Sequence, residues 1–331
     1  MSSLKVLFIG GTGTISTASG ERAVATGIDL TILNRGATKH RSVPAGAELL
    51  TADIRDPASV RSALGDREFD VVVDFVAFTP DHVQTDVDLF TGRTGQYVFI
   101  SSASAYQTPP GRLPIVESTP LRNPHWQYSR NKIACEVLLV EAYRESGFPA
   151  TIVRPSHTYD QTSIPTMGHW TDIHRMRQGQ DVVVHGDGTS LWALTHSVDF
   201  AKAFVGLLGH PKAVGESFHI TSDEVLCWNE IYTALGVAAG AGEPRLVHIA
   251  SDTIVAAEPN LEGALLGDKA HSVMFDNAKV KALVPDYVAT IPFAAGVREI
   301  IEWYDAHPER QQVDDAMNAL FDKLVAAAKV S

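Results

Sequence analysis

Cysteine is nearly missing from this chain, with Cys135 and Cys227 the only two in 331 residues. Two thiols so far apart, with no ligand-spaced partners beside them, make neither a disulfide framework nor a zinc site. No metal is expected. Positive charge is also short. Lys and Arg number 27 against 39 Asp and Glu, a formal net charge of −12, whereas tracking a phosphate backbone calls for a basic face. Nucleic acid is therefore not an expected partner. No apolar run approaches the roughly 20 residues of a membrane span, and Met1 leads straight into a strand-like segment rather than a charged and then apolar leader. These absences predict a cytoplasmic protein without a membrane partner. What remains is 45% hydrophobic and 20% charged, ordinary for a globular chain long enough for two domains.

The first half alternates short β-branched runs with amphipathic stretches, the pattern of a parallel sheet covered by helices on both faces. Strands are predicted at 5–9, 30–33, 48–51, 71–75, 97–100 and 151–153. Several are apolar throughout, as strands buried on both faces must be. Helices are predicted at 17–26, 57–64, 85–90 and 127–145, the last stopped by Ser146-Gly147 with Pro149 beyond. The fold class is α/β, a doubly wound parallel sheet of Rossmann type. No repeat, low-complexity tract or flexible linker breaks the chain, so the second half is expected to pack onto the first.

The first strand runs into Gly10-Gly11-Thr12-Gly13-Thr14-Ile15-Ser16, and a helix follows. Glycines at such a turn let backbone N–H groups approach a pyrophosphate, and the helix N-terminus adds about half a positive charge. Gly10 through Ile15 are thus candidate cofactor-binding residues. Ser16 stands where the fingerprint has its third glycine, and it is small enough to keep the helix close to the strand. Strand two ends in Asn34-Arg35. An acid there would accept the adenine ribose hydroxyls of NAD; an arginine suits the 2′-phosphate, so NADP is preferred over NAD. Asp53-Ile54 after strand three and Ala77 after strand four fit the same site.

Strand five leads into Ser101-Ser102-Ala103-Ser104, and the long helix carries Tyr128 and Lys132. Four residues apart, these two share a helical face. A free phenol, with a pKa of about 10, is a poor base at neutral pH. A nearby ammonium and an oxidised nicotinamide would both lower it. Ser102 is placed to hold the reacting oxygen against Tyr128. The predicted chemistry is hydride transfer to or from nicotinamide, with Ser102, Tyr128 and Lys132 catalytic.

With these motifs the chain resembles the extended short-chain dehydrogenase/reductases, specifically the NAD-dependent epimerase/dehydratase family. Further matches are Arg154-Pro155, Gly186-Asp187-Gly188, His196-Ser197-Val198-Asp199 and the closing helix at 300–304. The resemblance implies a dinucleotide-binding domain at 1–160 with a returning segment near 196–222. It also implies a smaller, interleaved α/β substrate domain at 161–195 and 223–331, and a homodimer through helices that include the one bearing Tyr128. It places Pro155 and His157 beside the cofactor, His157 where the family usually has asparagine. Nucleotide-sugar members carry an arginine shortly after the Gly-Asp-Gly turn; here Trp192 holds that place, which weakens diphosphate binding. The expected substrate is a carbohydrate or polyol not linked to a nucleotide, with Ser104, His157 and Trp192 as its contacts. Ala103-Ser104 replaces the Asp-Glu pair of the dehydratases and disfavours dehydration. Net redox, transient oxidation by a nucleotide-sugar epimerase, and a non-catalytic cofactor- or RNA-binding member remain the alternatives.

Overall fold

The computed structural model describes residues 3–36 and 41–329; Met1 and Ser331, the outer limits of the expected domains, lie outside it. Six strands and four helices come first: β1 (Lys5–Ile9), α1 (Thr14–Ala25), β2 (Asp29–Asn34), β3 (Glu48–Thr51), α2 (Pro57–Leu64), β4 (Phe69–Asp74), α3 (Pro80–Phe90), β5 (Thr94–Ile100), α4 (Gln127–Ser146) and β6 (Ala150–Pro155). A seventh strand, Ser217–Ile220, returns to pair with β6. Across the sheet the order is Ser217–Ile220, β6, β5, β4, β1, β2, β3, and every pairing is parallel. From the central β1 the chain steps outward to β2 and β3, then crosses to β4 on the other side. That reversal opens a crevice at the carboxyl ends of β1 and β4, the place where such sheets bind ligands.

Strand period decides the two cores. Val6 and Phe8 face one side with Ile32, Val98 and Phe204; Leu7 and Ile9 face the other with Val72, Tyr97 and Phe99. All four β1 residues are at most 1% exposed, so any polar substitution there buries an unpaired group. The six expected strands are present, with ends displaced by three residues or fewer. Two helices start before their predicted points. α3 begins at Pro80 rather than 85, because proline suits a first turn that has no N–H to donate. α1 begins at Thr14, so Thr14, Ile15 and Ser16 are its first turn rather than loop. α4 stops as predicted: Gly147 is left-handed (φ 72°), and the Gly147 and Phe148 N–H groups close onto Tyr143 and Ala142 carbonyls.

Beyond β6 a separate apolar cluster gathers Trp170, Ile173, Val182, Trp192, Trp228, Ile231 and Ile300. Trp170 and Ile173 come from α5 (Trp170–Arg177), and Val182 from a strand, Asp181–His185, paired in parallel with Arg245–Ile249. A π-helical turn at Leu265–Lys269 faces the end of α4 that bears Tyr128; such turns are rare and concentrate at functional sites.

Asp172 of α5 is fully buried. Its Oδ2 accepts the Gly168 N–H at 2.9 Å, but Oδ1 has no partner among the described residues. Burial pushes its carboxyl up to about 6, against the pull of Thr166, Gly168 and Arg175. The folded chain therefore holds this proton more tightly than the unfolded chain. The associated stability is complete below pH ~4 and is lost as pH rises through ~6, a difference of about 3 kcal/mol. Asp172→Asn is expected to remove that slope. Thermal midpoints of the two proteins between pH 4 and 7 check it: the variant's midpoint, relative to the parent's, should climb across the interval and level off above 6.

Candidate active site

Two cavities lie end to end over the carboxyl edge of the sheet. The first, about 620 Å³, is lined by the β1–α1 loop, the ends of β2 and β3, and Phe75, Val76, Phe78 and Ile100. The second, about 320 Å³, is lined by Ser102, Ser104, Trp126, Tyr128, Pro155, His157, Trp192, Asp268 and Lys269 among others. Phe78 walls the first and Tyr128 the second, and their ring centroids are 6.5 Å apart. The cavities meet there.

Gly10, Thr12, Gly13, Thr14 and Ile15 all border the first cavity. Gly10 holds φ +82°, and a Cβ on it would lie 2.4 Å from Val76 Cγ1, so no other residue fits. Gly11 is different. It lies beneath the wall, where a Cβ would strike Ile32, and its expected place at the cofactor becomes a packing role. Ser16 is buried, and its hydroxyl accepts the Gly13 N–H at 2.7 Å. Asn34 reaches Thr12 Oγ1 at 3.3 Å. Arg35 and Asp53 form an exposed ion pair at 3.8 Å, and both line the cavity with Ile54. Ala77 does not: it is completely buried, and Val76 and Phe78 present themselves instead.

Ala77 serves through its carbonyl. Lys132 Nζ, on a side chain 1% exposed, donates at 2.7 Å to the carbonyls of both Ala77 and Ile100. It bridges the chain leaving β4 to the end of β5, 5.8 Å from the Tyr128 ring centroid. Burial lowers its pKa to about 8. The expected relief of the phenol by this ammonium is not among the influences on Tyr128. Burial pushes Tyr128 upward, Ser102 pulls it down and Asp268 pushes it up again. Lysine's charge is directed to two backbone oxygens, so the phenol keeps its proton at neutral pH.

Ser102 caps a 3₁₀ turn, Ala103–Ala105, which swings its hydroxyl into the second cavity. Its Oγ lies 2.9 Å from Ser104 Oγ, which in turn receives Ser129 Oγ–H at 2.7 Å. Ser104, expected to touch substrate, lines the same cavity while 8% exposed and shares a hydrogen bond with Ser102 there. His157 and Trp192 are joined: the indole N–H donates to His157 Nδ1 at 3.0 Å. Burial drives the imidazole well below its usual range, so it stays neutral with its proton on Nε2. Trp192 is 2% exposed and packs against Trp228 at 5.3 Å. It is wall rather than open stacking platform. Trp126, half-buried and 5.0 Å from the Tyr128 ring, presents more of its face. Pro155 closes the same wall.

A model of the NAD dependent epimerase/dehydratase family matches residues 6–221. The chain belongs to that family. Curated relatives include the chloroplast stem-loop binding protein of 41 kDa b from Arabidopsis thaliana, 27% identical over 74% of this chain and 65% of its own. Another is a UDP-glucose 4-epimerase from Lactobacillus helveticus, 29% identical over 56% of this chain and 62% of its own. Both alignments thus span just under two thirds of the relative's length. Among solved structures, the UDP-glucose 4-epimerase of Bifidobacterium longum in complex with NAD+ and UDP superposes with a TM-score of 0.71. It is 18% identical, over 92% of this chain and 99% of its own.

The residues of this family member fit a dinucleotide of the NAD type. An elongated cavity starts at a helix N-terminus opened by glycines and ends beside Tyr128. Four of its features had no sequence signal. Arg55 lines the first cavity, donates to the Val76 carbonyl, and has its Nη1 buried without a partner among the described residues. Arg41 reaches Thr14 Oγ1 at 3.2 Å from the β2–β3 connection while paired with Asp160 at 2.7 Å. Asp268 and Lys269 enter the second cavity from about 140 residues downstream of Tyr128. Among the described residues no cluster of His, Cys, Asp and Glu is arranged to hold a metal, and no helix is long and apolar enough to cross a membrane.

Proposed function

We propose that this protein is an NAD(P)-dependent oxidoreductase acting on a hydroxyl or carbonyl of a carbohydrate or polyol. The observation that carries the reading is the convergence of Ser102 and Tyr128 on one cavity, abutting the cavity that begins at the glycine loop. The dinucleotide, when bound, supplies the hydride or accepts it. Ser102 donates a hydrogen bond to the reacting oxygen. Tyr128 gives that oxygen its proton in reduction and removes it in oxidation. Lys132 holds Ala77 and Ile100 in place and keeps a positive charge beneath the phenol. The small volume, and a lining that holds no arginine among the described residues, favour a substrate without a nucleotide. The net charge of −12 favours a small molecule over nucleic acid.

Screening free sugars, sugar acids and sugar nucleotides with NADP and NAD tests this directly. Nicotinamide absorbance should change in proportion to substrate consumed. Conversion of a sugar nucleotide to its epimer with no net change in absorbance would assign transient oxidation instead.

Arg35 carries the preference for NADP in this proposal. Its partner Asp53 is half exposed and 3.8 Å away, a loose pairing that leaves guanidinium donors for a 2′-phosphate. Arg35→Ala is expected to lower the NADP-to-NAD ratio of kcat/KM by about 10- to 100-fold, the loss of one or two charge-assisted hydrogen bonds. Steady-state kinetics with both cofactors decide it. A parent enzyme at least as efficient with NAD as with NADP refutes the preference.

A further inference from the structure

Of the side chains lining the second cavity, Asp268 and Lys269 are the two that bring opposite charges to it; the others are apolar, hydroxyl-bearing or the neutral His157. They sit on the π-helical turn Leu265–Lys269, and that turn is fixed with unusual care. The Lys269 carbonyl accepts from His185 Nε2 at 3.1 Å, Trp228 Nε1 at 3.2 Å and Ser190 Oγ at 3.3 Å. Gly263 and Gly267 let the segment lie directly on Trp126, where a Cβ would come within 2.2 and 3.0 Å of the indole residue.

Asn123 completes the joint. Buried to 3% exposure, it donates to the Ser104 carbonyl at 2.9 Å and the Gly267 carbonyl at 2.7 Å. Its Oδ1 accepts the N–H groups of His125 and Trp126 just ahead of α4. One amide therefore ties together the Ser102 turn, the Tyr128 helix and the charged turn. A solvated loop needs no such anchoring. Groups that must meet a ligand at fixed positions do.

We propose that Asp268 and Lys269 are the specificity-determining pair of this site, gripping adjacent hydroxyls of a small, uncharged polyhydroxy substrate and rejecting anionic ones. The inference rests on the reading of this cavity as the reaction site. Lys269 Nζ lies 3.5 Å from Asp268 Oδ2 and 6.0 Å from the Trp192 ring centroid. The ammonium is balanced but not tightly engaged, so both groups keep capacity for a ligand. A carboxylate accepts from two hydroxyls at once, and an ammonium donates to others. One compensated lysine offers little to the two charges of a diphosphate. A sugar carboxylate would meet Asp268 as well as Lys269. Trp126 supplies the apolar face that covers ring C–H groups.

The test uses the protein saturated with NADP+ and follows tryptophan fluorescence during titration with D-glucose, D-galactose, D-xylose, D-glucuronate and UDP-glucose. At least one neutral sugar should bind saturably and more tightly than either anion. Asp268→Asn should weaken that sugar by tenfold or more while improving glucuronate, and Lys269→Met should weaken the sugar to a smaller degree. Unchanged cofactor binding shows that each variant is folded. The proposal is overturned if none of the three neutral sugars saturates, if an anion binds best to the parent protein, or if both variants bind the sugar within twofold of it. Tyr128→Phe separates the underlying reading: wild-type turnover in that variant, with sugar binding intact, sinks the catalytic assignment and leaves the recognition pair standing.

Discussion

Tyr128→Phe is expected to lower kcat by about 10²- to 10⁴-fold, or roughly 3–5 kcal/mol of barrier, with KM changed little. The ring's surroundings make the prediction clean. Trp126 lies 5.0 Å and Phe78 6.5 Å from its centroid, contacts that a phenyl group keeps. Only the hydroxyl is lost, and with it the proton that the substrate oxygen must gain or give up. The pH dependence carries a sign. Because burial raises the phenol above its ordinary value, the phenolate needed for oxidation forms only toward alkaline pH. Oxidative kcat/KM should therefore rise with pH through and beyond neutrality, while the reductive direction, which needs the protonated phenol, falls at high pH. Steady-state rates in both directions, for parent and variant, check both statements. A variant retaining more than a tenth of the parent's kcat refutes the role.

The largest loss of stability is expected at Arg154. Its guanidinium grips Glu136 of α4 at 2.6 Å, donates to Tyr106 Oη and the Glu117 carbonyl, and is 5% exposed. Glu136 is 2% exposed and also accepts Ser101 Oγ–H, one residue before Ser102. Removing the arginine leaves a carboxylate buried with its principal partner gone. Arg154→Leu should cost about 3–5 kcal/mol, read from the midpoint of urea unfolding. The double variant with Glu136→Leu should recover much of that loss, because desolvating a matched pair repays little more than apolar contact does. Equal destabilisation in the single and double variants would show that the ion pair is not what matters there.

The sheet was legible because most of its strands are apolar on both faces and its turns carry glycine, proline or a cap. The glycine loop and the spacing of Tyr128 from Lys132 were legible for the same reason: local geometry makes them neighbours. What the residues did not disclose lies in the tertiary structure. Nothing in the segment around Asp268 indicates that it folds over Trp126, since the contact is made by glycines and by an asparagine far away in the chain. Trp192 lines the second cavity, but its indole is committed to His157 and Trp228. Ser104 lines the second cavity beside Ser102, whereas Ala77 lies buried outside the first and offers a backbone oxygen to Lys132. Periodicity tells which face of an element is buried; it does not tell which atom of a buried residue is the useful one.

Lys132 shows what such an arrangement demands of the molecule. An ammonium shifted from 10.5 to about 8 by burial is carried by the folded chain at a disadvantage of about 3 kcal/mol at neutral pH, even with two carbonyls turned toward it. An uncharged side chain of similar length would sit there more comfortably. The protein therefore tolerates a standing electrostatic tension directly beside the Tyr128 ring.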